Sequence, residues 1–226
     1  MRRWAWVRAG LLLVALVVVV GGVLGWVVKR EPDFYAQEMA VAPQANDPAV
    51  ASETQTRIGD LVGALTLYAV PGEWQVSFTA DELNAFLRED DGVLLLRPKW
   101  DGFADPRVSI RGDRLLVGGR VGDGPTAVVL WVEVRAWLVA GEPNTFAVEL
   151  VNVGVGSLPW FKRWLMDRLS EFAGKYGADL TWYRGASNPV AIGRLKANQN
   201  QPDLVLTELS VGDGKIVIGG KGLLGQ

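Results

Sequence analysis

The chain contains no cysteine and no histidine. Without cysteine there is no disulfide framework, no thiolate nucleophile and no residue to carry a lipobox acyl anchor. Without histidine the commonest general base and the commonest zinc ligand are both missing. Ser-His-Asp and Cys-His chemistry are therefore excluded. A carboxylate pair, a lysine-based site or an all-oxygen Mg²⁺ or Ca²⁺ site stays open. Beyond the N-terminus acidic residues outnumber basic ones. Arg2, Arg3, Arg8, Lys29 and Arg30 fall in residues 1–30 with no acid among them; since the whole chain carries −2, the remainder carries −7. A domain of that sign lacks the clustered cations a phosphate backbone needs, so nucleic acid is not an expected partner.

Apolar residues are plentiful, 49% of 226, enough for the core of one domain. Residues 9–28 read AGLLLVALVVVVGGVLGWVV, without a charge. Twenty helical residues reach about 30 Å, the thickness of a hydrocarbon core. Trp4, Trp6 and Trp26 fall near the two ends, where amphipathic rings favour the interface. The run is longer than a signal-peptide core and continues into Lys29-Arg30-Glu31-Pro32 without a small-x-small cleavage site, so it reads as an uncleaved anchor. The slight positive excess before it puts residues 1–8 in the cytoplasm and the rest of the chain outside. Gly21 and Gly25 have G-x-x-x-G spacing, which is common in spans and also suits helix pairing.

Residues 29–46 hold Pro32, Pro43 and many small residues and read as a stalk, which leaves 47–226 as the soluble domain. Asp47-Pro48 opens a helix. Its apolar face is Ile58, Leu61, Val62, Leu65 and Tyr68, and its first turns, 49–56, read as projecting from the core. Residues 74–78 read as a strand. Thr79-Ala80-Asp81-Glu82 is a capping box opening a short helix that buries Leu83, Phe86 and Leu87.

The pattern then turns to period two. Residues 108–110 and 115–121 flank Arg111-Gly112-Asp113-Arg114, read as a hairpin turn and not an adhesion tripeptide. Residues 126–139 form a long strand with Val128, Leu130, Val132, Val134, Ala136 and Leu138 on one face. Trp131, Glu133, Arg135 and Trp137 lie on the other. A second long strand, 145–155, carries Phe146, Val148 and Leu150 on one face. Strands this long exceed the usual five or six residues and are expected to curve around something. Residues 159–176 supply it: an amphipathic helix with Trp160, Trp164, Leu165 and Leu169 inward. Short strands at 180–184, 190–195, 204–209 and 215–218 end the chain. The fold class is α+β, an N-terminal transmembrane helix followed by a curved, long-stranded antiparallel sheet with helices packed on one face.

No motif carries chemistry. Gly154-x-Gly156 lacks the third glycine of a dinucleotide loop. Glu89, Asp90, Asp91, Asp101 and Asp105 do not have calcium-loop spacing. No carboxylate pair stands out, so no catalytic residue, metal site or cofactor is expected.

The segment Phe78-Thr79-Ala80-Asp81-Glu82-Leu83-Asn84-Ala85-Phe86-Leu87 resembles a pattern of small single-pass bacterial envelope proteins. There a strand leads into (S/T)-x-x-E-L-N-x-(hydrophobic)-L at the start of a short helix. Several of those proteins are similar to the tubular lipid-binding (TULIP) superfamily, in which a curved antiparallel sheet wraps a long helix around an apolar groove. The resemblance implies an inner-membrane protein with an extracytoplasmic domain, facing lipid and supplying no catalytic residues. The expected groove is lined by Leu83, Phe86, Leu87, Leu130, Val132, Val134, Phe146, Val148, Trp160, Trp164, Leu165 and Leu169. The expected partners are the bilayer, an apolar ligand and envelope proteins. The alternative is an interaction domain of an envelope assembly with a fully packed core.

Overall fold

The computed structural model describes residues 22–23, 25–66, 72–89, 103–159, 163, 166–167, 170, 179–184, 188–195 and 204–222. Most of the expected span 9–28 lies outside them. Residues 25–29 are helical, and among the described residues no helix is long and apolar enough to cross a membrane.

Three helices follow. α1 (Asp33–Ala40) starts directly after Pro32. α2 spans Asp47–Thr66. The Asp47 carboxylate closes the preceding turn, accepting from the Gln44 N–H at 3.0 Å, and pairs with Arg88 at 2.5 Å. The first turns of α2 do not project, since Ala51 and Thr54 are buried. α3 (Ala80–Arg88) begins with the expected capping box, in which Thr79 and Glu82 satisfy each other's backbone N–H groups.

The strands form two antiparallel sheets. The larger runs β2 (Phe103–Arg111), β3 (Arg114–Val121), β4 (Val128–Leu138), β5 (Thr145–Val155), β8 (Val190–Arg194), β7 (Asp179–Tyr183), with β6 (Leu158–Pro159) folding back on β5. The smaller has the order β1 (Gly72–Thr79), β10 (Lys215–Gly222), β9 (Leu204–Gly212). The last two strands thus do not extend the main sheet. β10 pairs with β1 from early in the chain and β9 with β10, and the first of these is a long-range pairing that local patterning cannot show.

Adjacent strand residues point to opposite faces, and this settles where each helix packs. Leu116 and Val129 cluster with Phe34 and Tyr35 of α1. Their neighbours Leu115 and Val117 face the other way and join Val108, Ala51 and Ile58 of α2, and Leu83, Phe86 and Leu87 of α3. Farther along that second face Val132, Val134, Leu150 and Val153 meet Met166 and Trp182. A register shift at Glu133/Val134 puts Leu150 and Val153 on the same side. Helices therefore cover both faces, not one. The segment 29–46, expected as a stalk, carries α1, with Phe34 and Tyr35 at 3% and 0% exposure. Burial of each ring contributes about 1.5–3 kcal/mol, which outweighs the local turn preference of its small and proline-rich flanks.

Side chains seal the sheet margins. Asn84 caps the outer edge of β2. Asn144, at φ 56°, donates to the Leu204 carbonyl at 2.6 Å and accepts from the Leu206 N–H at 2.8 Å, tying the β4–β5 turn to the edge of β9. Arg57 donates to the Ser77 carbonyl of β1 at 3.0 Å. Exposed edges invite pairing with other chains, and these bonds occupy the groups that would do it.

Candidate groove at the helix–sheet junction

The expected apolar site is only partly assembled as foreseen. Leu130, Val132, Val134, Phe146 and Val148 do share one face of the main sheet, with Leu83, Phe86 and Leu87 against the same side. Six of the eight, all but Leu130 and Val148, have packing partners among the described residues. Phe86 and Leu87 close on Ala51 and Val108, while Val132 and Val134 are met by Met166 and Trp182. Phe146 lies over Gly193, its cross-strand partner. None of these eight residues lines the cavity described next. Trp160, Trp164, Leu165 and Leu169 lie outside the described residues, although Met166 from the same segment is buried.

An open groove of about 430 Å³ lies on the opposite face, between α1 and β4. Its apolar surface comes from Pro32, Phe34, Leu116 and Trp131. Phe34 meets the Trp131 ring edge-on, with centroids 6.1 Å apart. The Trp131 indole N–H donates to the Gly156 carbonyl at 2.8 Å, which fixes the ring over Gly154. The absence of a side chain at Gly154 is what lets the indole lie flat there.

The charged walls are Arg30, Asp33, Arg111 and Glu133. Arg111 donates to Gln37 at 2.6 Å. Glu133 accepts from Arg114 at 2.7 Å and from Asn152 at 2.5 Å. Burial works against its ionisation, but these two bonds prevail and hold its carboxyl below the ordinary range.

Gly156 and Ser157, which line the groove, also hold the helix that ends at Lys29. The Ser157 N–H donates to the Val27 carbonyl at 3.1 Å, and its hydroxyl donates to the Arg30 carbonyl at 3.1 Å. Gly156, at φ 56°, closes so tightly on Val28 that a Cβ would meet its carbonyl. Glu31 pairs with Arg120 at 2.8 Å, and Arg120 reaches Asp105 at 3.2 Å. The turn at 156–157 thus satisfies carbonyls that a helix C-terminus leaves open. Domain and helix end are joined by several bonds and not by a free linker.

Sequence reasoning did not select these groove residues. The available signal was Trp131 on the less apolar face of β4, together with the adjacent aromatics Phe34-Tyr35. No group of three or more acidic residues able to hold a metal occurs among the described residues. The Ser157 hydroxyl donates to the Arg30 carbonyl, and the Glu133 carboxylate accepts from Arg114 and Asn152. No protein-family model matches the chain, and no curated protein or solved structure is significantly similar to it.

Proposed function

We propose that this chain is a membrane-anchored, non-enzymatic domain that binds a lipid or other apolar envelope molecule in the groove between α1 and β4. One observation carries the reading. The groove's aromatic floor and the clasp on the helix end are built from the same turn, Gly156-Ser157. If residues 9–28 span the bilayer, Arg30 stands two residues beyond the hydrocarbon. A pocket walled by Arg30 and Pro32 then opens among lipid headgroups. Lipid is the most concentrated amphipathic molecule at that level, and Trp131 and Phe34 offer it an apolar surface.

The test is to purify the full chain in mild detergent and measure retained lipid by mass spectrometry, beside an unrelated single-span protein. The expected result is lipid that survives detergent exchange on this chain and not on the control. Equal retention on both would sink the proposal. Alkaline extraction of membranes tests the anchor separately, with the chain expected in the pellet.

A second reading is favoured by the packing of the other sheet face. Ala51, Phe86, Leu87 and Met166 fill the space where an interior ligand would sit. This suits an interaction domain of an envelope assembly. In-cell cross-linking that captures a stable protein partner, with no retained lipid, would favour it.

A further inference from the structure

The groove pairs charges of both signs with an apolar floor, and this selects among lipid headgroups; the inference rests on the lipid-binding reading above. The four charged walls are not equally committed. Glu133 is balanced by Arg114 and Asn152. Arg111, by contrast, bonds only the neutral amide oxygen of Gln37, and the Arg30 guanidinium lies over the Trp26 ring at 5.9 Å. Asp33 is exposed at the first turn of α1. Among the described residues none of these three is in an ion pair, whereas the guanidinium groups of Arg57, Arg88, Arg114, Arg120 and Arg135 all are. The groove therefore offers two cations and one carboxylate outside the described ion pairs, beside Trp131 and Phe34, with the Arg111 charge also favouring the ionised form of Glu133.

We propose that the groove takes the headgroup of a zwitterionic phospholipid, with phosphate against the Arg30 and Arg111 guanidiniums and ammonium against the Asp33 carboxylate. Guanidinium matches phosphate in charge and in its forked donor geometry. A purely anionic headgroup would satisfy the arginines but face Asp33. A purely cationic one would face both arginines. A headgroup with both signs sets an opposite charge against each of the three groups. The source is a membrane lipid because Arg30 belongs to the groove wall and follows the expected span, with its carbonyl held by Ser157.

The experiment uses the full chain, purified in mild detergent from membranes that hold phosphatidylethanolamine and phosphatidylglycerol, with retained lipid quantified by headgroup. Phosphatidylethanolamine should be enriched several-fold over its share of the membrane. Arg111→Gln should lower total retained lipid several-fold. Asp33→Asn should shift the retained pool toward phosphatidylglycerol. Arg135→Gln, on the same sheet face but paired with Asp113 and Glu149 away from the groove, should leave amount and composition unchanged. Circular dichroism confirms that each variant is folded. Retained lipid with the composition of the bulk membrane, or insensitive to both groove variants, overturns the headgroup assignment and leaves lipid binding standing. No retained lipid overturns both.

Discussion

The carboxamide of Asn84 stands in for a neighbouring strand at Val108. Its Nδ2 donates to the Val108 carbonyl at 2.7 Å, and the Val108 N–H donates to its Oδ1 at 2.8 Å. Asn84 is 2% exposed and Val108 5%, so neither backbone group can fall back on water. Glu38 of α1 accepts from the same Nδ2 at 3.1 Å. One side chain thus joins α3, β2 and α1. Leaving a buried donor or acceptor unmade costs about 1–3 kcal/mol. Asn84→Ala orphans two and should lower unfolding free energy by about 2–5 kcal/mol on the same principle. Asn84→Asp should be no milder, because it sets a second oxygen against the Val108 carbonyl and Glu38. Urea midpoints followed by circular dichroism check both. An unchanged midpoint in Asn84→Ala would refute the role given to this residue.

Gly154 and Trp131 are direct cross-strand partners, and the indole occupies the space a Cβ at position 154 would need. Gly154→Ala must push the ring off both Phe34 and the Gly156 carbonyl. Overpacking of this kind costs about 1–3 kcal/mol. Because the ring also floors the groove, the variant should lose retained lipid more steeply than stability. If the two fall in step, the glycine matters for folding alone.

The junction with the helix end depends on Gly156 and Ser157. A non-glycine residue at φ 56° is strained by about 1–2 kcal/mol, and at position 156 its Cβ would also strike the Val28 carbonyl. Gly156→Ala should therefore loosen the junction, and Ser157→Ala should do so more mildly by removing one bond to Arg30. Limited trypsin digestion after Lys29 and Arg30 gives the readout, with cleavage fastest in Gly156→Ala and slowest in the unaltered chain. Equal rates in all three would show that the clasp does not hold in solution.

Stability should fall at both ends of the pH scale, for opposite reasons. Burial works against the Glu82 carboxylate, but the Thr79 backbone and the Arg57 guanidinium outweigh it and hold the group below its ordinary value of 4.5. A depressed carboxylate stabilises the fold above that ordinary value and loses the contribution as pH falls through its lower folded value. Glu82→Gln should flatten this acid limb. Burial pushes the Tyr35 hydroxyl up to about 12 from 10.0. A raised hydroxyl contributes fully below pH 10 and loses its contribution as pH rises toward the folded value, because the unfolded chain releases the proton first. Tyr35→Phe should flatten the alkaline limb while keeping the ring packed. Melting temperatures across pH test each limb on its own variant.

Arg107 is buried at 9% exposure, and its Nε has no hydrogen-bond partner among the described residues. Its Nη1 donates to the Pro106 carbonyl at 2.7 Å, and burial lowers its affinity for the proton. A buried guanidinium without a carboxylate partner costs stability. Arg107→Met, of similar length and without charge, should leave the urea midpoint unchanged or raise it. A marked fall would mean that the Pro106 bond outweighs the desolvation of the charge.

Local features of this protein are legible in the amino-acid order because they depend on residues within reach along the chain. The capping box at Thr79 and Glu82 is one; the turn at Gly112-Asp113 and the two 11-residue strands β4 and β5 are others. The buried face of α3 follows in the same way from helical spacing. The tertiary structure alone decided that Asn84 closes β2, that β1 pairs with β10, and that Phe34 and Tyr35 pack on the sheet. It also put the groove on the Trp131 face. In each case a side chain or strand edge meets a partner far away in sequence, and its choice depends on which polar groups and apolar surfaces the rest of the chain leaves uncovered. No spacing rule records that, since burial and hydrogen-bond closure belong to the assembled surfaces.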